Sequence, residues 1–162
     1  MGWYVSNRIS KYYKIRRSKY IPSSTISSTT YIGHNMDFTN YLSDKLVNAT
    51  VRNIGYTTPV KVYLALFKTD PTKESIGIEV TGASYTRPNV VFEEPVDGVS
   101  QNPAQVTYAV ATTNWGDVGW VGVMDSKEDG NLLYFTALDN PKNILTGDQL
   151  KFKPNEITLT LT

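Results

Sequence analysis

Hydrophobic and polar positions follow two different periods along this chain. Around residue 40 the spacing is three and four, which is the period of an amphipathic helix. The positions that share it are Phe38, Tyr41, Leu42, Lys45 and Leu46. Asp37 or Thr39 can cap the first turn, because a short side-chain oxygen accepts hydrogen bonds from free N–H groups there. The pattern predicts one helix at about residues 37–48, packed on the edge of the remaining domain.

From about residue 58 onward, short apolar runs between turn residues replace the helical period. Predicted strands lie near residues 60–68, 85–93, 104–111, 117–125, 131–138 and 149–161, the last divided at Pro154-Asn155. Turn signals such as Asp70-Pro71, Asp97-Gly98 and Asn140-Pro141 fall between them. Strands at this spacing, with no helical pattern between them, predict an all-β, antiparallel β-sandwich over residues 36–162.

Residues 1–35, here named the arm, sustain neither period. Aromatic residues alternate with bases in its first twenty positions, and a stretch rich in serine and threonine follows at residues 22–30. Such a segment cannot bury an apolar face of its own, so we expect it to be extended and to become ordered on a partner.

Charge divides the chain at the same place. The arm has six bases and no acid, whereas residues 36–162 have ten bases against fifteen acids, a net charge of −5. This asymmetry predicts different surroundings for the two parts. The predicted partner-binding residues of the arm are Arg8, Lys11, Lys14, Arg16, Arg17, Lys19, Tyr12, Tyr13 and Tyr20.

Two kinds of partner suit a basic, aromatic arm. Cations interleaved with tyrosines can neutralise phosphates and stack on bases. However, six cations in 35 residues is a moderate density, and the hydroxyl-rich stretch suits backbone pairing better. A protein partner, either a sister subunit or an acidic protein lattice, is therefore favoured over nucleic acid.

Length and composition limit the remaining possibilities. A chain of 162 residues that is 40% hydrophobic fills one core, so we expect one domain preceded by the arm. Cysteine is absent, which excludes disulfides, thiolate zinc sites and a cysteine nucleophile. There is no apolar run of membrane-spanning length and no secretory signal pattern. We therefore expect a protein that does not associate with membranes and that is made in the cytoplasm of the cell that produces it.

Candidate catalytic and metal-binding residues are few. The single histidine, His34, lies in the arm without a recognisable partner for acid–base chemistry. Asp125, Glu128, Asp129 and Asn131 flank Gly130, but their spacing fits a hairpin turn better than a calcium loop. Glu93 and Glu94 are adjacent, so a strand would point them to opposite faces. We expect no enzymatic activity, no cofactor and no metal.

Two segments that contain tryptophan raise one further functional alternative, a sugar-binding site. Asn114-Trp115-Gly116 and Gly119-Trp120 can form an aromatic platform for sugars, although tryptophans of a β-sandwich are more often core residues. We expect Trp115, Trp120 and Phe67 to lie in the core or in a subunit interface.

Several short motifs occur in a fixed order along the chain. Two of them are Glu79-Val80-Thr81-Gly82 followed by Tyr85-Thr86-Arg87, and Ala111-Thr112-Thr113-Asn114-Trp115-Gly116. Others lie at residues 40–46, 62–72, 121–125, 130–134, 141–142, 147–148 and 157–161. In this order the motifs resemble a family of small tailed-phage virion proteins known as phage tail fibre proteins, which has capsid decoration (cement) relatives. The resemblance covers about residues 38–162. The sequence departs from the pattern at Gly82-Ala83-Ser84, where a glycine-rich turn is usual, and the arm has no counterpart.

The resemblance implies a jelly-roll-like β-sandwich, no enzymatic activity, homotrimers and a place on the outside of a virion. Two functions agree with it. The leading one is a capsid decoration protein, anchored by its arm to the major capsid protein or to neighbouring subunits. The alternative is a tail-fibre or receptor-binding module. A glycan-processing enzyme and a DNA-binding protein of the particle interior are disfavoured.

Overall fold

A computed structural model of the protein describes residues 36–161. The arm and its nine predicted partner-binding residues therefore lie outside the described residues. The described elements are β1 (Asp37–Phe38), α1 (Asn40–Val51), β2 (Val62–Phe67), β3 (Asn89–Val90), β4 (Val99–Gln101), β5 (Val106–Thr107), β6 (Gly116–Met124), β7 (Leu132–Ile144), β8 (Lys151–Phe152) and β9 (Thr158–Thr160).

The strands form two layers. Five antiparallel strands make the main sheet, in the order β1-β7-β6-β2-β3. Two short antiparallel ladders, β4 with β9 and β5 with β8, contribute the second layer. This arrangement confirms the predicted all-β, antiparallel sandwich with one helix.

Alternation along β2 explains where the core lies. Leu64 and Leu66 belong to the large core cluster, which also contains Val106 and Phe152 from the second layer. Successive side chains of a strand point to opposite faces. Ala65 and Phe67 therefore lie on the other face of the sheet, in a smaller buried cluster.

The helix begins later than predicted, because Asp37–Phe38 pairs with β7 as a short edge strand. Thr39 caps it, as expected: its Oγ1 accepts a hydrogen bond from the Leu42 N–H at 3.4 Å and donates one to the Leu132 carbonyl at 2.7 Å. Leu42 is the one buried residue of α1. The cap thus joins the helix to the start of β7.

The prediction that a strand ends at residue 138 before a turn at Asn140-Pro141 was wrong. β7 continues to Ile144, and its register with β6 changes on the way. Trp120 opposes Ala137, whereas Val118 opposes Lys142, so residues 138–141 bulge opposite Gly119. Proline lacks an N–H for ladder pairing, and a bulge is one of the few places in a sheet that accept it.

Most other strands lie near their predicted positions but are shorter. Residues 85–93 contain only β3, and residues 104–111 contain only β5. The last predicted strand is divided into β8 and β9, as expected from Pro154-Asn155, while β4 was not predicted. The fully buried side chain of Asn102 bonds the carbonyls of Ala104 and Lys153 and the N–H of Ile157, which shows how side chains replace ladder bonds in this layer.

Candidate functional site

One edge of β2 is paired in two places with a gap between them. The Val80 N–H donates to the Leu66 carbonyl at 2.8 Å, and the Leu64 N–H donates to the Pro88 carbonyl at 2.9 Å. Between these two points, residues 81–87 leave the sheet. Within residues 36–161, the Leu64 carbonyl and the Leu66 N–H consequently face no neighbouring strand. A buried backbone group without a partner is costly.

Two tyrosine hydroxyls fill this gap. The Tyr108 hydroxyl donates to the Leu64 carbonyl at 2.9 Å, and the Tyr85 hydroxyl oxygen accepts from the Leu66 N–H at 3.0 Å. Burial raises the pKa of both hydroxyls, and the nearby Glu79 charge raises the pKa of Tyr85 further. Both side chains therefore remain neutral hydrogen-bonding groups far above neutral pH.

Glu79 connects Tyr85 to a buried arginine. Its Oε1 accepts from the Tyr85 hydroxyl at 2.8 Å and from Arg87 Nε at 2.8 Å, while its Oε2 accepts from Arg87 Nη2 at 2.6 Å. Paired contacts of this kind are the strongest that arginine makes with a carboxylate. The hydrogen bonds to Glu79 raise the pKa of Arg87.

Arg87 also reaches the hairpin between β6 and β7. Its Nη1 donates to the carbonyls of Ser126 at 2.9 Å and Asp129 at 2.7 Å. One side chain thus joins the β2 edge to this hairpin. We name Glu79, Tyr85, Arg87 and Tyr108 the β2-edge joint.

Trp115 covers the joint from within the core and has no exposed surface. The Tyr85 ring meets it edge-on with a centroid distance of 5.3 Å, and the Tyr108 ring does so at 6.3 Å. A Cβ atom at Gly82 would lie 2.9 Å from Trp115 Cδ1, and Gly82 has a φ of +157°. Glycine at position 82 therefore leaves the room that the Trp115 side chain occupies, because any Cβ atom there would approach the indole ring too closely.

A surface cleft of about 400 Å³ lies over the joint. Its lining includes Glu79, Thr81, Thr86, Arg87 and Lys127. Both Glu79 oxygens and three Arg87 nitrogens are already engaged in hydrogen bonds within the protein. The charged pair that lines the cleft is therefore occupied in holding the fold together.

The structure also places the other residues that the sequence singled out. Asp125 accepts hydrogen bonds from the Asn131 N–H at 2.7 Å and the Asn131 Nδ2 at 2.8 Å, so this segment is a hairpin turn, as predicted. Trp115 and Phe67 are fully buried, which confirms their predicted core positions, whereas Trp120 is half-buried and packs against the smaller cluster. Glu93 and Glu94 are exposed. Within residues 36–161, no three metal-ligating side chains form a group.

Residues 37–160 match the family described as podophage GP4 fiber I protein gp80. The chain belongs to this family. The match runs from β1 to the end of β9, so the fiber I region includes the complete described sandwich and the β2-edge joint.

Membership of the fiber I family confirms the resemblance to phage tail fibre proteins. A phage fibre family is in general structural and non-enzymatic, and the fiber I match associates the chain with the virion. No curated protein matches the chain. Within the described part of the chain, no helix is long and apolar enough to cross a bilayer.

The sequence did not predict the β2-edge joint as a site, although it contains the signal for it. Glu79, Gly82, Tyr85, Arg87 and Trp115 all belong to the motifs that carry the family resemblance. Glu79 and Arg87 are, however, only two of the twenty-five charged residues between positions 36 and 162, and charged side chains are mostly exposed, so nothing in the sequence marks them as a pair. Their pairing across eight residues of loop became visible only in the folded chain.

Proposed function

We propose that this chain is a non-enzymatic structural subunit of a podophage tail fibre. The observation that carries this proposal is the fiber I match, which spans residues 37–160. The joint supports it, because its Arg87–Glu79 ion pair holds loops together and both side chains are engaged in hydrogen bonds within the described domain. A virion subunit needs such rigidity more than it needs a reactive group.

Copy number and location test the proposal together. We expect quantitative mass spectrometry of purified particles to find a handful of copies per virion, and immunogold labelling to mark the tail. Hundreds of copies, with label over the whole head, would replace the tail assignment by a capsid decoration role. Turnover of host polysaccharide by the purified protein would contradict its non-enzymatic character.

Capsid decoration is retained as a second candidate because of the arm. At ~3.3 Å per residue, the 35 residues of the arm can reach across roughly 100 Å when extended, which is enough to bridge neighbouring capsid subunits. Under either candidate, we propose that the arm residues Arg8, Lys11, Lys14, Arg16, Arg17, Lys19, Tyr12, Tyr13 and Tyr20 bind another virion protein. Homotrimers, implied by the resemblance, are part of the same proposal.

Replacing Arg16, Arg17 and Lys19 by alanine tests the nature of the arm's partner. We expect weaker attachment to virion particles, with a modest dependence on salt because exposed ion pairs are screened. The matched control replaces Lys68, Lys142 and Lys151 in the sandwich and should leave attachment unchanged. Tight binding of the wild-type protein to free DNA at physiological salt, with a steep salt slope, would instead indicate a nucleic-acid partner.

A further inference from the structure

The outer edge of β7, which is the edge away from β6, is covered by β1 over only part of its length. β1 lies opposite Tyr134 and Phe135, whereas β7 continues to Ile144. Among residues 36–161, the sheet order places β1 alone on this side of β7. We propose that residues 31–35 of the arm continue β1 along this edge of β7 in the same copy.

The direction of β1 leads the preceding residues along this edge. Asp37 lies opposite Phe135, and β1 is antiparallel to β7, so a continued strand places each earlier residue opposite a later residue of β7. The Met36 side chain is 2% exposed and belongs to the large core cluster, which fixes the chain where the arm ends. In the continued register, Asn35 lies opposite Ala137.

The backbone of β7 offers hydrogen-bonding groups at the position that Asn35 reaches. The Thr39 N–H donates to the Leu133 carbonyl at 3.0 Å, so Leu133 directs its carbonyl away from β6. This direction recurs at every second residue of an antiparallel strand, and therefore at Phe135 and Ala137. Ala137 is exposed, and the backbone groups of a sheet edge are a template for another strand.

The sequence of this part of the arm suits such a strand. Tyr31 and Ile32 favour strands, and Ile32 falls on the same face as the buried Met36, because successive side chains alternate between faces. Gly33 comes opposite the bulge at residues 138–141, where a residue without a side chain leaves room for the bulged backbone.

The length of the proposed strand matches the edge that it covers. Thr136 and Ile144 lie opposite Val121 and Gly116 of β6, so the bulge lets β6 follow the same path with fewer residues than β7. A straight strand on the other side of β7 has the same path to follow. It needs about five residues before Met36 at ~3.3 Å each, and these are the residues proposed.

The arm of the same copy is the occupant because its end is already at this edge. The pairing of Asp37 and the burial of Met36 hold the chain beside β7. A tethered strand has a high effective concentration at its site, which a strand from a second copy would have to overcome. Pro141, within the bulge, lacks an N–H, which further disfavours a long foreign strand on this edge.

The added strand determines where the arm leaves the domain. At Tyr31 the chain has reached the end of the main sheet formed by Gly116 and Ile144, which is the end away from the β6–β7 hairpin. Residues 1–30, with all six bases of the arm, project from that end. It is then the end that faces the attachment partner. This consequence rests on the proposed function of the arm, whereas the pairing itself is tested without any virion particle.

Hydrogen exchange of the full-length protein tests the pairing, because N–H groups bonded in a ladder exchange slowly. In the proposed register the N–H groups of Asn35 and Ala137 are bonded, whereas the N–H of His34 points to solvent. We expect Asn35 and Ala137 to exchange at least about tenfold more slowly than His34, relative to their intrinsic rates. Dilution should leave this protection unchanged, because the strand belongs to the same copy.

Two proline variants of the full-length protein are matched to this register. Asn35→Pro removes a donor to β7 and should raise the exchange rate of Ala137 at least about tenfold. His34→Pro removes an N–H that points to solvent and should leave the protection of Ala137 in place. Both variants should keep a cooperative melt and unchanged exchange in β2 and β6, because the added strand lies at the edge of the sheet.

Three results would overturn the proposal. Exchange of Ala137 at its intrinsic rate in the wild-type protein would show that no strand is added at this edge. Protection that disappears on dilution would assign the strand to a second copy. Equal loss of Ala137 protection in the two proline variants would contradict the continued register.

Discussion

At the scale of single residues, Arg87 makes four side-chain hydrogen bonds that hold separate parts of the described domain together. Its side chain is 7% exposed and that of Glu79 is 23% exposed, so little water is available to replace a lost partner. Removing one member of such a pair leaves the other charge unpaired, which costs more than the pair itself contributes. The contacts with Ser126 and Asp129 are lost at the same time.

We therefore expect Arg87→Met to lower the free energy of unfolding by ~3 kcal/mol, measured by denaturant titration. The double variant Glu79→Met, Arg87→Met should recover part of this loss, because no charge is then left unpaired. Lys127→Met changes an exposed residue of the same cleft and should stay within ~0.5 kcal/mol of the wild-type protein. A loss for Arg87→Met no larger than that of the control would show that the joint contributes little.

The tyrosines of the joint predict how stability depends on alkaline pH. Their pKa values are raised in the fold above the ordinary value of 10.0, so the folded state holds the phenolic proton more tightly than the unfolded state. Their contribution is fully present below about pH 10 and is lost as pH rises beyond it. The expected fall is up to about 1.4 kcal/mol per pH unit for each tyrosine.

Tyr108→Phe should separate the two roles of this hydroxyl. At neutral pH we expect a loss of ~1–2 kcal/mol, because the Leu64 carbonyl loses its donor inside the core. Above about pH 10 the variant should lose stability less steeply than the wild-type protein, since one fewer tyrosine titrates. Denaturant titrations between about pH 8 and 11 measure both effects. Parallel curves for the two proteins would contradict the prediction.

At the scale of elements, α1 depends on its first turn. Isolated helices of this length are marginal in water, and Leu42 is the only residue of α1 buried in the described domain. Thr39 holds the helix in two ways, by capping it and by bonding the Leu132 carbonyl. The element is therefore fixed at its N-terminal end.

We expect Thr39→Ala to lower the free energy of unfolding by ~1–2 kcal/mol. Thr50→Ala is the control: Thr50 is exposed near the other end of α1, and its hydroxyl bonds only carbonyls of the same helix. Because alanine favours helix, that change should be neutral or slightly stabilising. Equal losses in the two variants, measured by thermal and denaturant unfolding, would rule out a special role of the cap.

At the scale of the whole molecule, the described domain has a core of its own. Among the described residues, the large cluster combines side chains from β2, β3, β5, β6, β7 and β8, which are drawn from both layers of the sandwich. The matched family region also begins after the arm, at residue 37. Folding and attachment are thus expected to depend on different parts of the chain.

Deleting residues 1–35 should leave a protein that melts cooperatively and keeps the near-ultraviolet circular dichroism of buried Trp115. The same deletion should reduce attachment to virion particles, because it removes all six bases of the arm. The Arg16→Ala, Arg17→Ala, Lys19→Ala variant is the control for a partial loss, because it removes three of the six bases and keeps the rest of the arm. Loss of the cooperative melt in the deleted protein would show that the arm contributes to the fold.

The sequence by itself determined the fold class, the helix cap, the hairpin at Asp129-Gly130 and the core positions of Trp115 and Phe67. These features depend on local patterns. Periodicity decides which face of an element is buried, and a turn or cap residue acts on backbone groups only a few positions away. The motif order also sufficed to indicate the family before any residue was placed in space.

Tertiary structure alone decided the β2-edge joint, the bulge in β7 and the contact between the end of β9 and the turn at Asp97-Gly98. Each depends on residues distant in sequence: Arg87 meets Ser126 and Asp129, Tyr108 meets Leu64, and Leu161 meets Gly98. A turn signal at Asn140-Pro141 cannot tell a strand end from a bulge, because the neighbouring strand decides whether pairing resumes. Local sequence encodes which groups need partners, and only the folded chain determines which partners they meet.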